Sequence, residues 1–81
     1  MAEQVNAGYK IISHIVVDEL EFVLGFNPKA AQQYVTWEYT SRSGYFWGHY
    51  FGDYYDALED LLQRAGREIE ARASRHRGDR E

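Results

Sequence analysis

Three histidines, two serines and a run of carboxylates are the side chains of this 81-residue chain best suited to chemistry. His14, His49 and His76 share no metal-ligand spacing. The chain has no cysteine, which excludes disulfides, thiolate metal sites and cysteine nucleophiles. Ser41 and Ser43 fall in a predicted turn without a nucleophile signature. Asp56, Glu59 and Asp60 have the look of paired carboxylates, but their spacing reads better as one solvated helix face. His49, flanked by Trp47 and Tyr50, reads as a packed or hydrogen-bonded sheet histidine rather than a base. The glycines from Gly44 to Gly52 lack a phosphate-cradle pattern. The chemistry on offer therefore points away from an enzyme, and no cofactor or metal is expected.

Binding is the better reading, and aromatics supply it. The composition includes two Trp, seven Tyr and four Phe. Most of them crowd between Tyr34 and Tyr55, where Tyr and Trp are the side chains that anchor interfaces.

The elements that carry these rings follow from local pattern. Residues 1–8 read as a flexible start. Tyr9–Val17 is β-branched and reads as a strand, followed by a tight Asp18-Glu19 turn and a second strand over Leu20–Phe26. Asn27-Pro28-Lys29 is turn chemistry. Tyr34–Thr40 alternates as a third strand. Ser41–Gly44 is a hairpin loop with Gly44 suited to positive φ, and Tyr45–Phe51 is the fourth strand. Gly52 breaks the pattern and Asp53 is a good helix N-cap. A helix is expected from Tyr54 to about Arg72, with Tyr55, Leu58, Leu62, Ala65 and Ile69 as its apolar face. Residues 73–81 carry no strongly apolar side chain and read as a disordered Arg-rich tail.

The expected fold is thus one α+β domain over 9–72, a four-stranded antiparallel meander with one C-terminal amphipathic helix on one face. Alternation puts Val35, Trp37 and Tyr39 on one side of the third strand. It puts Tyr45, Trp47, His49 and Phe51 on one side of the fourth, with Phe46 and Tyr50 on the other. A single helix covers one face, so the other is expected to expose rings.

Charge narrows the partner. Residues 1–63 hold three Lys or Arg against nine acids, and residues 64–81 hold six Arg against four. A body at −6 repels phosphates, so direct nucleic-acid binding is disfavoured. An acidic rim around an aromatic patch suits a basic protein surface instead. The expected partner-binding residues are Trp37, Tyr39, Trp47, His49 and Tyr50, with Glu38, Asp53, Asp56, Glu59 and Asp60 supplying the field. The longest apolar run, Ile15–Val17, is far too short to span a bilayer, and a cytoplasmic protein is expected.

The strings Lys10-Ile11-Ile12, Glu21–Gly25, Asn27-Pro28, Tyr34–Trp37 and Tyr45–Phe51 resemble short accessory proteins of bacterial mobile elements: conjugative transposons, plasmids and prophages. The resemblance spans roughly residues 9–70 and implies a setting in which accessory proteins often counter host defence. It carries no functional residue with it. The expectation is a non-enzymatic protein-binding module that inhibits a bacterial defence or nucleic-acid-processing protein, such as a CRISPR effector nuclease, through a basic surface. The alternatives are a homodimeric regulatory or structural accessory protein using its exposed sheet, and a weak nucleic-acid binder using the tail.

Overall fold

Alternating β-branched and aromatic runs, punctuated by Gly, Asp and Pro, set the strands of this chain. The computed structural model describes residues 4–79. They form β1 (Val5–Asn6), β2 (Tyr9–Val17), β3 (Leu20–Phe26), β4 (Tyr34–Thr40), β5 (Gly44–Phe51) and α1 (Tyr54–Asp79). The architecture is α+β, an antiparallel sheet in the order β1-β2-β3-β4-β5 with one C-terminal helix.

Two boundaries differ from expectation. The sheet has five strands rather than four, because Val5 and Asn6 pair with Lys10 and Tyr9. Ala7 (φ 52°) and Gly8 (φ 85°) make the two-residue turn, whose doubly positive φ matches the twist of a hairpin. An Ile11 N–H donation to the Gln4 carbonyl at 2.9 Å extends the pairing. The helix continues past Arg72 to Asp79. Arg72 holds this part of the helix to the β2–β3 turn through Asp18 at 2.9 Å and Glu19 at 3.0 Å, and beyond it the nucleated helix propagates through good helix formers. His76 and Arg77 in its last turn complement the negative end of the dipole. Residues 1–3 of the expected flexible start and 80–81 of the expected tail lie outside the described residues.

The core has two parts on opposite faces of the sheet. Leu20, Phe22 and Leu24 of β3 pack beneath Ala57, Leu61 and Ala65 of α1. Each fully buried large side chain there contributes about 1.5–3 kcal/mol. The helical contact face therefore differs from the expected one. Leu58 and Ala65 belong to it, but Tyr55, Leu62 and Ile69 are 71%, 57% and 50% exposed. The packed face runs through the small Ala57 and the charged Arg64, which a count of strongly apolar residues passes over.

On the other face, Tyr9, Val23, Val35 and Trp37 form a second cluster, joined by Ile11, Ala30 and Tyr45. The β3–β4 loop closes it. The Tyr9 hydroxyl donates to the Gln32 carbonyl at 2.8 Å, and Gln32 donates to the Tyr50 carbonyl at 3.4 Å. The expectation of a bare aromatic second face is thus corrected at its centre. Trp37 is only 5% exposed, edge-on to the Tyr9 ring at 5.7 Å. Trp37 stabilises the fold and is not available as a surface anchor. Among the described residues, no helix is long and apolar enough to cross a membrane.

Candidate functional site

The exposed rings gather where β5 departs from regular pairing. Thr36 of β4 pairs with His49 and Glu38 pairs with Phe46. Trp37 alone thus faces two residues, Trp47 and Gly48, which is a β-bulge. Trp47 takes φ 55°, a left-handed conformation that costs an L-residue roughly 1–2 kcal/mol. Gly48 is required beside it, because a Cβ there would sit 2.7 Å from the Trp37 indole nitrogen. The bulge also shifts the phase of the strand. Phe46, His49 and Phe51 share the helix side through their pairing with Glu38, Thr36 and Tyr34, while Tyr45 and Tyr50 pair with Tyr39 and Val35 on the other. The expected grouping of Tyr45 with His49 and Phe51, and of Phe46 with Tyr50, is corrected accordingly.

One buried side chain holds the bulge in place. Arg64 projects from α1 and donates through Nη1 to the Thr36 carbonyl at 3.1 Å and to Thr36 Oγ1 at 3.0 Å. Through Nη2 it donates to Glu38 Oε2 at 3.2 Å and to the Trp47 carbonyl at 2.6 Å. The guanidinium fork suits this task, since its donors lie in one plane at fixed angles. The helix is thereby pinned to β4 and to the strained residue of β5 at once.

Thr36 extends the network toward the solvent. Its hydroxyl, fully buried, donates to Asp60 Oδ2 at 2.5 Å while accepting from Arg64. Asp60 Oδ2 also lies 3.0 Å from His49 Nδ1. Burial pushes the Asp60 carboxyl up, but hydrogen bonds from Thr36 and His49 and the charges of His49 and Arg64 hold it below its ordinary value. The chain His49–Asp60–Thr36–Arg64–Glu38 is therefore continuous. Among the described residues, no buried side-chain polar atom lacks a partner.

Above this network lies an open cleft of about 380 Å³, lined by Phe22, Glu38, Trp47, His49, Arg64, Arg67 and Glu68. Trp47 forms its rim at 70% exposure, with its ring edge-on to Phe46 at 5.3 Å. The polar lining combines Arg67 with Glu68 over an already neutralised Arg64–Glu38 pair. His49 and Asp60 resemble an oriented base, but the neighbouring hydroxyl of Thr36 is buried and already committed to Asp60 and Arg64. No group of three His, Asp or Glu side chains among the described residues is placed to hold a metal ion.

The expected site residues therefore separate. Glu38, Trp47 and His49 line the cleft, and Asp60 is joined to it through His49. Tyr50 is 46% exposed on the opposite face of the same edge strand. Asp53 caps the helix by accepting from the Asp56 N–H at 3.1 Å, and Asp53, Asp56 and Glu59 are exposed on and before its first turns. Trp37 and Tyr39 do not join them, since Trp37 is core and Tyr39 packs its ring on Tyr45 at 4.7 Å. Sequence reasoning missed Arg64, Arg67 and Glu68. A signal for Arg64 exists: it lies three residues beyond Leu61, on the face that Ala57 and Leu61 define, where a charged side chain needs buried partners.

No family model matches the chain, and no curated protein or solved structure matches it.

Proposed function

We propose that the chain is a non-enzymatic protein-binding module that docks its β5 edge onto a basic surface of a bacterial defence or nucleic-acid-processing protein and blocks it. The observation that carries this reading is Trp47. It is a large ring held in a left-handed backbone conformation at 70% exposure, on a bulge fixed by a buried arginine. Folding alone favours glycine at such a position. A strained, rigidly mounted aromatic side chain at the surface fits a contact that needs a pre-organised anchor.

The charges beside it set the partner's sign. Asp53, Asp56 and Glu59 stand before and on the first turns of α1 and form no ion pair with the described residues, and the helix to Gln63 holds no Lys or Arg. Such a rim accelerates encounter with a cationic surface, and the rings then retain it. A cationic groove that binds nucleic acid is the natural target of this combination. Resemblance to accessory proteins of mobile elements supports a defence nuclease as the most concrete form, by analogy.

The test is inhibition across a panel of purified CRISPR effector nucleases and restriction enzymes, with DNA cleavage as readout at two salt concentrations. Wild-type protein should inhibit at least one member, more weakly at high salt. Trp47→Ala and the pair Asp56→Asn with Glu59→Gln should each lose that inhibition. A panel in which no member binds wild type more tightly than Trp47→Ala sinks the proposal.

A further inference from the structure

The opposite flank of the helix carries a second unpartnered surface. At about 100° per residue, Tyr55, Leu62 and Ile69 project away from Asp60 and Arg67, which border the β5 side. These three are among the most exposed large apolar side chains of the chain, at seven-residue intervals. That interval repeats one position of a heptad, so the three side chains line one narrow strip along the helix.

Gly66 lies in the middle of this stripe. It sits inside a 26-residue helix, where glycine is the least favourable residue after proline. No atom approaches within 4 Å of the position its Cβ would take, so packing inside the protomer does not require it. A glycine facing solvent at the centre of an apolar stripe lets a second helix backbone approach closely.

The charge distribution selects the partner and its direction. From Tyr54 to Gln63 the helix exposes Asp56 and Glu59 and holds no Lys or Arg, while Asp60 is bound to Thr36 and His49. Further on, Arg64 is buried, Arg67 lines the cleft and Arg72 is paired with Asp18, Glu19 and Glu68, so the arginines left exposed toward the end of the helix are Arg75 and Arg77. The stripe begins beside Asp56 and Glu59 and ends beside His76 and Arg77. An antiparallel copy of the same helix crossing at Gly66 sets Leu62 against the second copy's Ile69. It also brings each acidic end to a basic one. A parallel copy would oppose like charges along the whole contact.

We infer that α1 forms an isologous, antiparallel helix pair with a second copy of this chain, crossing at Gly66 and closed by Leu62 and Ile69. The surface is separate from the Trp47 cleft and does not depend on the reading of that cleft. The contact is small and its ends are held by exposed charges, so the dimer is reversible and salt-sensitive.

Sedimentation equilibrium over a wide concentration range tests it directly. At low salt the weight-average mass should rise from 9.5 kDa toward twice that value, and added salt should reverse the rise. Leu62→Glu with Ile69→Glu, at positions already exposed, should stay monomeric with an unchanged far-UV spectrum. Gly66→Gln should raise the monomer's thermal midpoint while weakening association, a pairing of effects that no purely structural role produces. Because the chain lacks cysteine, Glu59→Cys mixed with Ala73→Cys reports direction: cross-linking between the two variants supports the antiparallel pair. A wild type that remains monomeric at the highest concentration overturns the inference. So does a double Glu variant that still dimerises, or efficient cross-linking of Glu59→Cys to itself.

Discussion

Replacing Trp47 by glycine and by alanine separates strain from contact, because both changes remove the same ring. The edge-on packing on Phe46 at 5.3 Å is lost in each and cancels in the comparison. What remains is the backbone. At φ 55° an alanine Cβ still meets the left-handed penalty of roughly 1–2 kcal/mol. Glycine escapes that penalty, but its more flexible unfolded chain costs roughly 0.5–1 kcal/mol relative to alanine. The difference favours Trp47→Gly by up to about 1.5 kcal/mol. At an ordinary strand position the order is reversed by a similar amount.

For a domain of this size, 1 kcal/mol moves the thermal midpoint by about 4–8 °C. Trp47→Gly should therefore melt above Trp47→Ala, by up to roughly 12 °C. Circular dichroism at dilute protein, supported by urea titration, reads the difference without interference from association. Alanine equal to or more stable than glycine would refute the idea that Trp47 stores backbone strain, and with it the main support for the functional reading. If glycine is the more stable variant, the chain keeps tryptophan there at a cost in stability, as expected of a residue retained for contact.

Three further outcomes follow from the network beneath the cleft. Arg64→Met leaves the partly buried Glu38 beside no cation and the Trp47 carbonyl without its donor; breaking a fully buried pair costs about 3–5 kcal/mol, this partly exposed one less, and equilibrium denaturation should find a substantial share of the domain's stability gone. Asp60 is held below its ordinary value of 3.8 in the folded state, so it contributes stability above that pH and loses it as pH falls through the folded value; Asp60→Asn should flatten the acid limb of a stability-versus-pH curve and leave its slope above neutrality unchanged. Gly48→Ala drives a methyl to 2.7 Å from the Trp37 indole nitrogen; a rise in solvent quenching of the Trp37 fluorescence, read in a Trp47→Phe background, should accompany a loss of stability.

Much of the fold is legible because its signals are local. The β-branched run Tyr9–Val17, the Asp18-Glu19 turn and the alternating Tyr34–Thr40 segment fix three strands at the bounds observed. Gly44 takes the positive φ its hairpin position suggests, at 74°, and Asp53 caps the helix. The site is less legible because its determinants are long-range. Nothing in Tyr45–Phe51 announces an extra residue, since a bulge exists only relative to the partner strand. The phase change it introduces is what separates Tyr45 and Tyr50 from Phe46, His49 and Phe51. Arg64 is only half legible for a related reason: its place on the Ala57–Leu61 face points to burial, but its partners, Thr36, Glu38 and the Trp47 carbonyl, converge on it from two strands. Hydrophobicity alone points to Tyr55, Leu62 and Ile69 as the helix face, yet these three are exposed. The sheet instead accepts the small side chain of Ala57, which lets the helix lie close.

One helix on a sheet rich in aromatic residues leaves apolar surface to be placed elsewhere, and its placement here has a consequence for function. The centre of the second face is covered by the β3–β4 loop and by the Tyr9 and Trp37 rings. Val5, Ile12 and Val16 stay exposed on β1 and β2, and the larger side chains are pushed out to two margins: the β5 edge with Trp47 and Tyr50, and the outer helix flank with Tyr55, Leu62 and Ile69. The two margins lie on opposite sides of α1, and the side chains that shape them are disjoint. Arg64 anchors only the first, and Gly66 opens only the second. Substitutions on separate margins that share no contact should act additively on stability. Trp47→Ala therefore leaves self-association intact, and Leu62→Glu with Ile69→Glu leaves the cleft intact. A dimer built on the outer flank turns both Trp47 edges outward, so one assembly presents two anchors to partners. Its apparent affinity for a target with two basic sites would then exceed that of the monomeric variant through effective concentration alone.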